Sequence, residues 1–558
     1  MNLADPAQLV LKGEFQDRIV RSIHHLLDLN TDEMRREFTS PNDFWHWGAD
    51  YMGRWISAMS LLGQYTGESY GVDAVVRELL GFQNSDGSFG PYTDPHDFQE
   101  WFGMSRGLVG LLEYYQTSHD EQALVAATRL GDFYLANYPD WAPCLYECYS
   151  TALEGLVLLF KLTGEAKYLE TARRVATSCA VYKGIRYSKE LTPEGRRSPV
   201  SGQVHCQLTT ARGLLDLYEI TREEAYLTPV IELHDYIIKE LLWVSGGIGF
   251  YYYRPEENET CADSDWLRLN LQLWCLTRDV RFMHLAEHIL VNQLFFDQAD
   301  NGGFCYLRGL QNRAGAVFDA CCSHHAPRAF YEVLRHMYAT SEGAVWINLF
   351  MEGKARLALE DGTLSLSSEI QEDSGAQIFS LELEEVPPTP LRLMLRLPAW
   401  AGQASLVVNG QAVALNNETG YARLERIWRQ GDRLVATFPM AVRVTRGHTL
   451  GQHVLFPDEV AVFYGPRLFS LDDTLNPDVR LHLVRLKLPS SLPDAFRVSR
   501  NNRLLAMGVT PDHASEPLIF SPLSEIGGTP SGLGRIHTVR SPYYKVWIPL
   551  EADIPLPS

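Results

Sequence analysis

No stretch of the 558-residue sequence reaches eighteen consecutive apolar residues, so nothing in it reads as a membrane-spanning helix. The first twenty residues, MNLADPAQLVLKGEFQDRIV, lack the basic start and long apolar run of an export signal. Positive charge is also sparse: 49 Lys and Arg stand against 69 Asp and Glu, a net charge of −20, with no basic run or stripe. Phosphate neutralisation needs clustered cations, so nucleic acid is excluded as a partner. Cysteine is scarce, nine in all, odd in number and irregularly spaced, which argues against a disulfide framework. Without an export signal, reduced thiols in a cytoplasmic protein are the expectation. What remains, 46% apolar and 21% charged residues, is ordinary for a soluble globular chain, and its length points to two or three domains.

One phrase recurs through the first 340 residues. It reads LLGQYTGES around Thr66, LEYYQTSHDEQAL around Thr117, LLFKLTGEAKYLETA around Thr163, LDLYEITREEAYL around Thr221, LQLWCLTRDVRFMHLA around Thr277 and RHMYATSEGA around Thr340. Each copy is an apolar helical pattern with an aromatic near its end, then Thr and a small or polar residue. In the first five a second apolar-periodic segment follows, giving helix, tight turn, helix. The threonines are 51, 46, 58, 56 and 63 residues apart, room for two helices and loops, and such a period signals stacked units sharing a core. Six hairpins either close into an (α/α)6 toroid or stack as an open solenoid. Aromatic, Gly-rich loops between copies (DFWHWGADYMGRW, NSDGSFGPYTDPHDFQEWF, VSGGIGFYYYRPEENETC) favour the toroid. Their rings and carboxylates, converging on one mouth, suit a carbohydrate with apolar faces and polar rims.

After residue 345 the pattern changes to period-two alternation, as in KARLALEDGTLSLSSEI and LRLMLRLPAW, broken by turns such as Asn409-Gly410. The expected class is therefore α+β and multidomain: a toroid over 1–345, a β-sandwich over 346–480 and a C-terminal β-region over 481–558. The last is either a second sandwich or part of the first, and it buttresses the helices.

The densest chemistry lies in FDACCSHH, residues 318–325, where Cys321 and Cys322 are followed by His324 and His325. Adjacent cysteines are poorly placed to bridge each other. Sixty residues upstream, about one repeat, lies Glu259-Thr260-Cys261. One carboxylate and three thiolates suit zinc better than magnesium or calcium. The alternative is a set of buried reduced thiols packing as small hydrophobes.

The ETC triplet paired with a later CC resembles the β-L-arabinofuranosidase family, glycoside hydrolase family 127. LRLPAWAGQASLVVNGQAVAL, ARGLLDLYEIT, ECYSTALEGLVLLFKLTGEAKYL and the VSGGIG turn are similar to its segments as well. The resemblance implies an (α/α)6 catalytic barrel with flanking β-sandwiches, zinc held by Glu259, Cys261, Cys321 and Cys322, and Cys321 as nucleophile of a retaining mechanism. A retaining hydrolase also needs an acid/base group. The family carries a glutamate shortly after the Gly-Gly-x-Gly turn, whereas this chain reads GGIGFYYYRPEENETC, with Tyr252 in or beside that position. Glu256 or Glu257, Tyr252, or a carboxylate from another loop such as Glu147 would then supply the proton. His205 matches a sugar-contacting histidine of the family. His324, His325 and His96, with His46 and Glu100, are candidate pocket residues. The expected partner is a small oligosaccharide or glycoside, with homo-oligomerisation left open. Two rival readings stand: another (α/α)6 carbohydrate enzyme, such as a polysaccharide lyase or unsaturated-uronide hydrolase, and a non-catalytic sugar-binding relative.

Overall fold

The computed structural model describes residues 1–29, 31–39, 47–90, 98–138, 147–179, 203–251, 254–309, 311–312, 317, 319, 321–373, 375–450, 453–487, 495–499, 503–509, 515–526 and 544–549. Six helices form an inner ring: Asp50–Thr66, Phe98–Ser118, Ala152–Thr163, Val204–Thr221, Thr260–Thr277 and Cys321–Met337. Each packs on the next, and the last packs back on the first, so the repeat closes as a toroid. Outer helices such as Val72–Gly81, Glu121–Asn137, Ala166–Ser178 and Glu224–Glu240 follow the inner ones as hairpin partners.

The repeated threonine ends each of the first five inner helices for a specific reason. Its hydroxyl donates to the carbonyl four residues back, Thr66 to Leu62, Thr163 to Leu159, Thr221 to Leu217 and Thr277 to Leu273, while Thr117 reaches the carbonyls of Glu113 and Tyr114. The chain then turns left-handed at Gly67, His119, Gly164, Arg222 and Arg278. Those amides donate to Gly63, Tyr115, Phe160, Tyr218 and Trp274 at 2.8–2.9 Å, closing the helix ends. Asp120 and Asp279 then cap the following helices by accepting from the amides of Gln122 and Arg281.

The sixth copy departs from this scheme. Its helix stops at Met337, and Thr340 lies in the strand Tyr338–Ser341. The outer helix beside it is Glu14–Asp28, from the start of the chain, which packs on both Cys321–Met337 and Asp50–Thr66. Two of the expected aromatic loops are also partly helical: the inner helices begin at Asp50 and Phe98, so Tyr51, Trp55 and Trp101 sit on the ring itself. Close approach requires glycine here, since a Cβ on Gly53 would lie 2.7 Å from the backbone of Arg106 and Gly107 on the next inner helix.

Three β-sheets follow. A six-stranded sheet runs in the order Asn2–Leu3, Tyr338–Ser341, Ala344–Ile347, Leu391–Arg396, Tyr421–Arg426, Asn417–Glu418. A seven-stranded sheet runs from Gln411–Val413 through Ser405–Val408, Arg433–Pro439, Ala376–Glu385, Gly362–Asp373 and Glu352–Leu359 to Leu9–Lys12. Alternate residues of Glu352–Leu359 are buried, and Leu357, Phe379, Leu393 and Phe438 share one continuous core with the ring. The first twelve residues thus contribute a strand to each of these two sheets. A third, ten-stranded sheet includes Gln311–Asn312, paired with Tyr544–Lys545. Arg308 donates to the Ile526 carbonyl at 2.7 Å and Arg18 to that of Ser524 at 3.0 Å, so the C-terminal region braces the approach to the cysteine pair. The segments SLPDAF and GGTPSGLG fall largely outside the described residues. None of the described helices is long and apolar enough to cross a membrane.

Candidate functional site

Two inner helices begin at the same mouth of the ring. Cys321 and Cys322 open the helix Cys321–Met337, Cys261 lies in the first turn of Thr260–Thr277, and Glu259 is that helix's N-cap residue. Local contacts fix both starts. Asp263 accepts from the Ile248 amide at 2.8 Å, tying the Gly-Gly turn to the helix, and Thr260 Oγ1 donates to the Cys305 carbonyl. At the start of the other helix, Ser323 Oγ donates to Asp319 at 3.0 Å and accepts from the Phe304 amide, while His25 Nε2 lies 2.6 Å from Asp319.

The donor atoms of Glu259, Cys261, Cys321 and Cys322 all lie within 4.8 Å of one another. Cys261 Sγ is 3.5 Å from Cys322 Sγ, Cys321 Sγ is 3.7 Å from Cys322 Sγ, and Cys321 Sγ is 4.0 Å from Glu259 Oε1. Tetrahedral zinc with bonds of about 2.3 Å to sulfur separates its sulfurs by about 3.8 Å, close to the 3.5 and 3.7 Å found here, so the donor set is compatible with such an ion. Cys261, Cys322 and Glu259 are buried, and Cys321 is half-buried. Burial drives the thiols of Cys261 and Cys322 and the carboxyl of Glu259 well above their ordinary pKa values. Cys321 goes the other way, because hydrogen bonds from the thiols of Cys261 and Cys322 favour its thiolate. Of the three sulfurs it is the one partly exposed and the one whose thiolate its neighbours favour.

Arg54 is the protein's own cation here. Its Nη1 lies 3.9 Å from Cys261 Sγ, Nε donates to Asp50 at 2.6 Å, and Nη2 is 3.4 Å from His205 Nε2. His205 Nδ1 sits 2.9 Å from Asp265 Oδ2 while its Nε2 lies toward Arg54, so the carboxylate and the guanidinium flank the ring. His325 Nε2 approaches Asp265 Oδ1 at 3.2 Å, and burial lowers the pKa of both histidines. His205, Asp265 and His325 also converge closely enough to hold an ion. The guanidinium of Arg268, 2.9 Å from Asp265, and that of Arg54 already occupy this neighbourhood with positive charge, so it works as an ionic layer beneath the cysteines. His324 stacks on Tyr51 with ring centroids 6.1 Å apart.

The layer continues inward. Every inner helix contributes at least one buried charged side chain, among them Arg54, Arg106, Glu154, Arg212, Arg268 and Arg328, with Glu113 and Asp265 in addition. Glu154 Oε1 accepts from Arg212 at 2.9 Å and Arg268 at 3.2 Å, and Arg328 donates to Glu113 at 2.8 Å. Burial opposes ionisation of Glu154, but the surrounding arginines outweigh it and hold its pKa well below the usual range.

The sequence reading singled out the Glu/Cys set and three of these histidines, and the fold brings them to one mouth. Tyr252, His96 and His46 lie outside the described residues, and Glu147, Glu256 and Glu257 are described only by their backbones, in the turn Glu147–Thr151 and the strand Arg254–Asn258. Glu100 is buried. Sequence reasoning missed Arg54, Asp265 and Gln203, whose Nε2 is 3.5 Å from Glu259 Oε2. It also missed Tyr306, whose phenol burial and the neighbouring Glu259 and cysteines keep protonated. The signal for the arginines was present: a charged residue stands 9 to 12 positions before the threonine of each of the first five repeats.

No curated protein matches the sequence. A solved family 127 β-arabinofuranosidase superimposes with a TM-score of 0.79 at 18% identity, covering 99% of this chain and 98% of that one. A family 127 β-L-arabinofuranosidase from Geobacillus stearothermophilus T6 gives 0.76 at 17% identity, covering 97% and 100%. These likenesses establish the fold. The model of the β-L-arabinofuranosidase, family 127 catalytic domain, matches residues 18–332, and that of the family's middle domain matches residues 344–440. By those two matches, which span most of the sequence and both sides of the helix-to-strand change, the chain belongs to the β-L-arabinofuranosidase family of glycoside hydrolases, family 127.

Proposed function

We propose that the chain is a retaining glycosidase with Cys321 as nucleophile, acting on a small glycoside such as a β-linked L-arabinofuranoside. The observation that carries this reading is the convergence of Glu259, Cys261, Cys321 and Cys322 on one point at the mouth of an (α/α)6 ring. Zinc is the ion we assign to them, from the three soft donors and one carboxylate. When bound, it supplies the positive charge that keeps these thiols deprotonated at neutral pH.

Cys321 Sγ attacks the anomeric carbon, a C–S bond forms and the glycosidic C–O bond breaks. The departing oxygen takes a proton from an acid. That proton comes from Glu257 or Tyr252 in our assignment, with Glu257 favoured because a phenol near its free pKa of about 10 is a poor donor at neutral pH. The same group then removes a proton from water, which displaces the sulfur and releases the sugar with its configuration retained. His205, held by Asp265 and Arg54, together with Glu147, His324, His325 and His96, is assigned to the sugar. The proposal keeps the division into a catalytic toroid, residues 1–345, a sandwich, 346–480, and a C-terminal β-region, 481–558, with a small imported oligosaccharide as substrate. A cytoplasmic site accords with the unbridged state of the eight described cysteines.

The test is a panel of nitrophenyl glycosides that includes the furanosides, run on wild type and on Cys321→Ala. Release of nitrophenol with retained anomeric configuration, abolished in a folded Cys321→Ala, is the expected result. A product absorbing in the ultraviolet would mark a lyase instead. Sugar binding by Cys321→Ala with no turnover by wild type would mark a binding protein.

A further inference from the structure

A second pair of thiols lies beside the site without belonging to it. Cys148, in the 3-10 turn Glu147–Thr151, and Cys206, in the first turn of Val204–Thr221, place their sulfurs 3.1 Å apart although 58 residues separate them. Both are buried, in a small apolar cluster with Phe102 that the half-exposed Trp47 covers. Neither takes part in the metal-binding set. A formed bridge needs about 2.05 Å between sulfurs, so the pair has about 1 Å to close.

We propose that Cys148 and Cys206 are a redox-active dithiol that closes to a disulfide under peroxide. One sulfur attacks the peroxide O–O bond, becoming a sulfenic acid as the first water leaves. The second sulfur attacks that sulfenic sulfur and expels the second water, so two thiols are oxidised to one disulfide and the peroxide is reduced to two waters. The reaction has a local consequence. Cys206 Sγ donates to Gln203 Oε1 at 3.2 Å, and the amide of Gln203 lies 3.5 Å from Glu259 Oε2. The bridge removes that S–H donor and with it the contact orienting Gln203 toward the carboxylate. This modification site stands independently of the glycosidase reading, because its readout is a covalent bond.

The experiment treats the full-length, zinc-supplemented protein, its cluster thiols shielded by the metal, with increasing hydrogen peroxide. Free thiols are then alkylated under denaturing conditions, and a non-reducing digest is analysed by mass spectrometry. A Cys148–Cys206 cross-linked peptide two hydrogens lighter than its components is expected in most molecules. It should vanish on dithiothreitol treatment and be absent from both Cys148→Ser and Cys206→Ser, either variant serving if the other fails to fold. Recovery of both residues as alkylated thiols at doses that oxidise other cysteines, or linkage of Cys206 to a different partner, overturns the proposal.

Discussion

The mouth of the ring and the layer beneath it are both buried and charged, yet they balance their charge differently. In the deeper layer the carboxylates of Glu154, Asp265 and Glu113 face the guanidinium groups of Arg106, Arg212, Arg268 and Arg328. At the mouth, one carboxyl and three thiols converge, and Arg54, the cation beside them, is already shared with Asp50 and His205. Burying ionised groups without a partner is costly, so a set of this kind is either protonated or completed by an outside cation. The protein neutralises the deeper layer itself, whereas the mouth gathers a set that could hold a metal.

Substitutions that unbalance one layer should therefore leave the other's signature intact. The largest effect belongs to Glu154→Ala, which strands buried arginines; urea denaturation should show a loss of about 3–5 kcal/mol, whether or not metal is present. The same carboxylate gives a pH signature. Its folded pKa lies below the unfolded value of about 4.3, so its contribution is fully present above that value and disappears as pH falls toward the folded pKa. Thermal melts of wild type should accordingly lose stability on acidification below about pH 4 more steeply than those of Glu154→Gln. At the mouth, stripping zinc with a chelator should lower stability by about 2.7 kcal/mol relative to metal at a hundred times its dissociation constant. Cys261→Ser should show little of that difference by calorimetry. Smallest is Asp279→Ala, which removes one helix cap remote from both layers and should cost about 1 kcal/mol with turnover unchanged.

The ring was legible because its punctuation is local: an aromatic near the helix end, a threonine and then a left-handed residue recur in the first five copies. The outer partner of its sixth helix was not, since Cys321–Met337 pairs with Glu14–Asp28, more than 290 residues earlier, and no period reports a contact of that separation. Asn2–Leu3 and Leu9–Lys12 were hidden for the same reason, being short strands whose partners begin after residue 337. The Glu/Cys set was readable because those residue types are rare and lie one repeat apart. Arg54 and Asp265 were not, because a charged residue in a helical pattern ordinarily marks a solvent face, and the ring turns that face inward.

The most direct measurement is the metal content of purified wild type, Cys261→Ser and Glu154→Gln by mass spectrometry, alongside turnover of a furanoside. The account expects about one zinc per chain in wild type and in Glu154→Gln, and almost none in Cys261→Ser. A fully active wild type free of bound metal would contradict it.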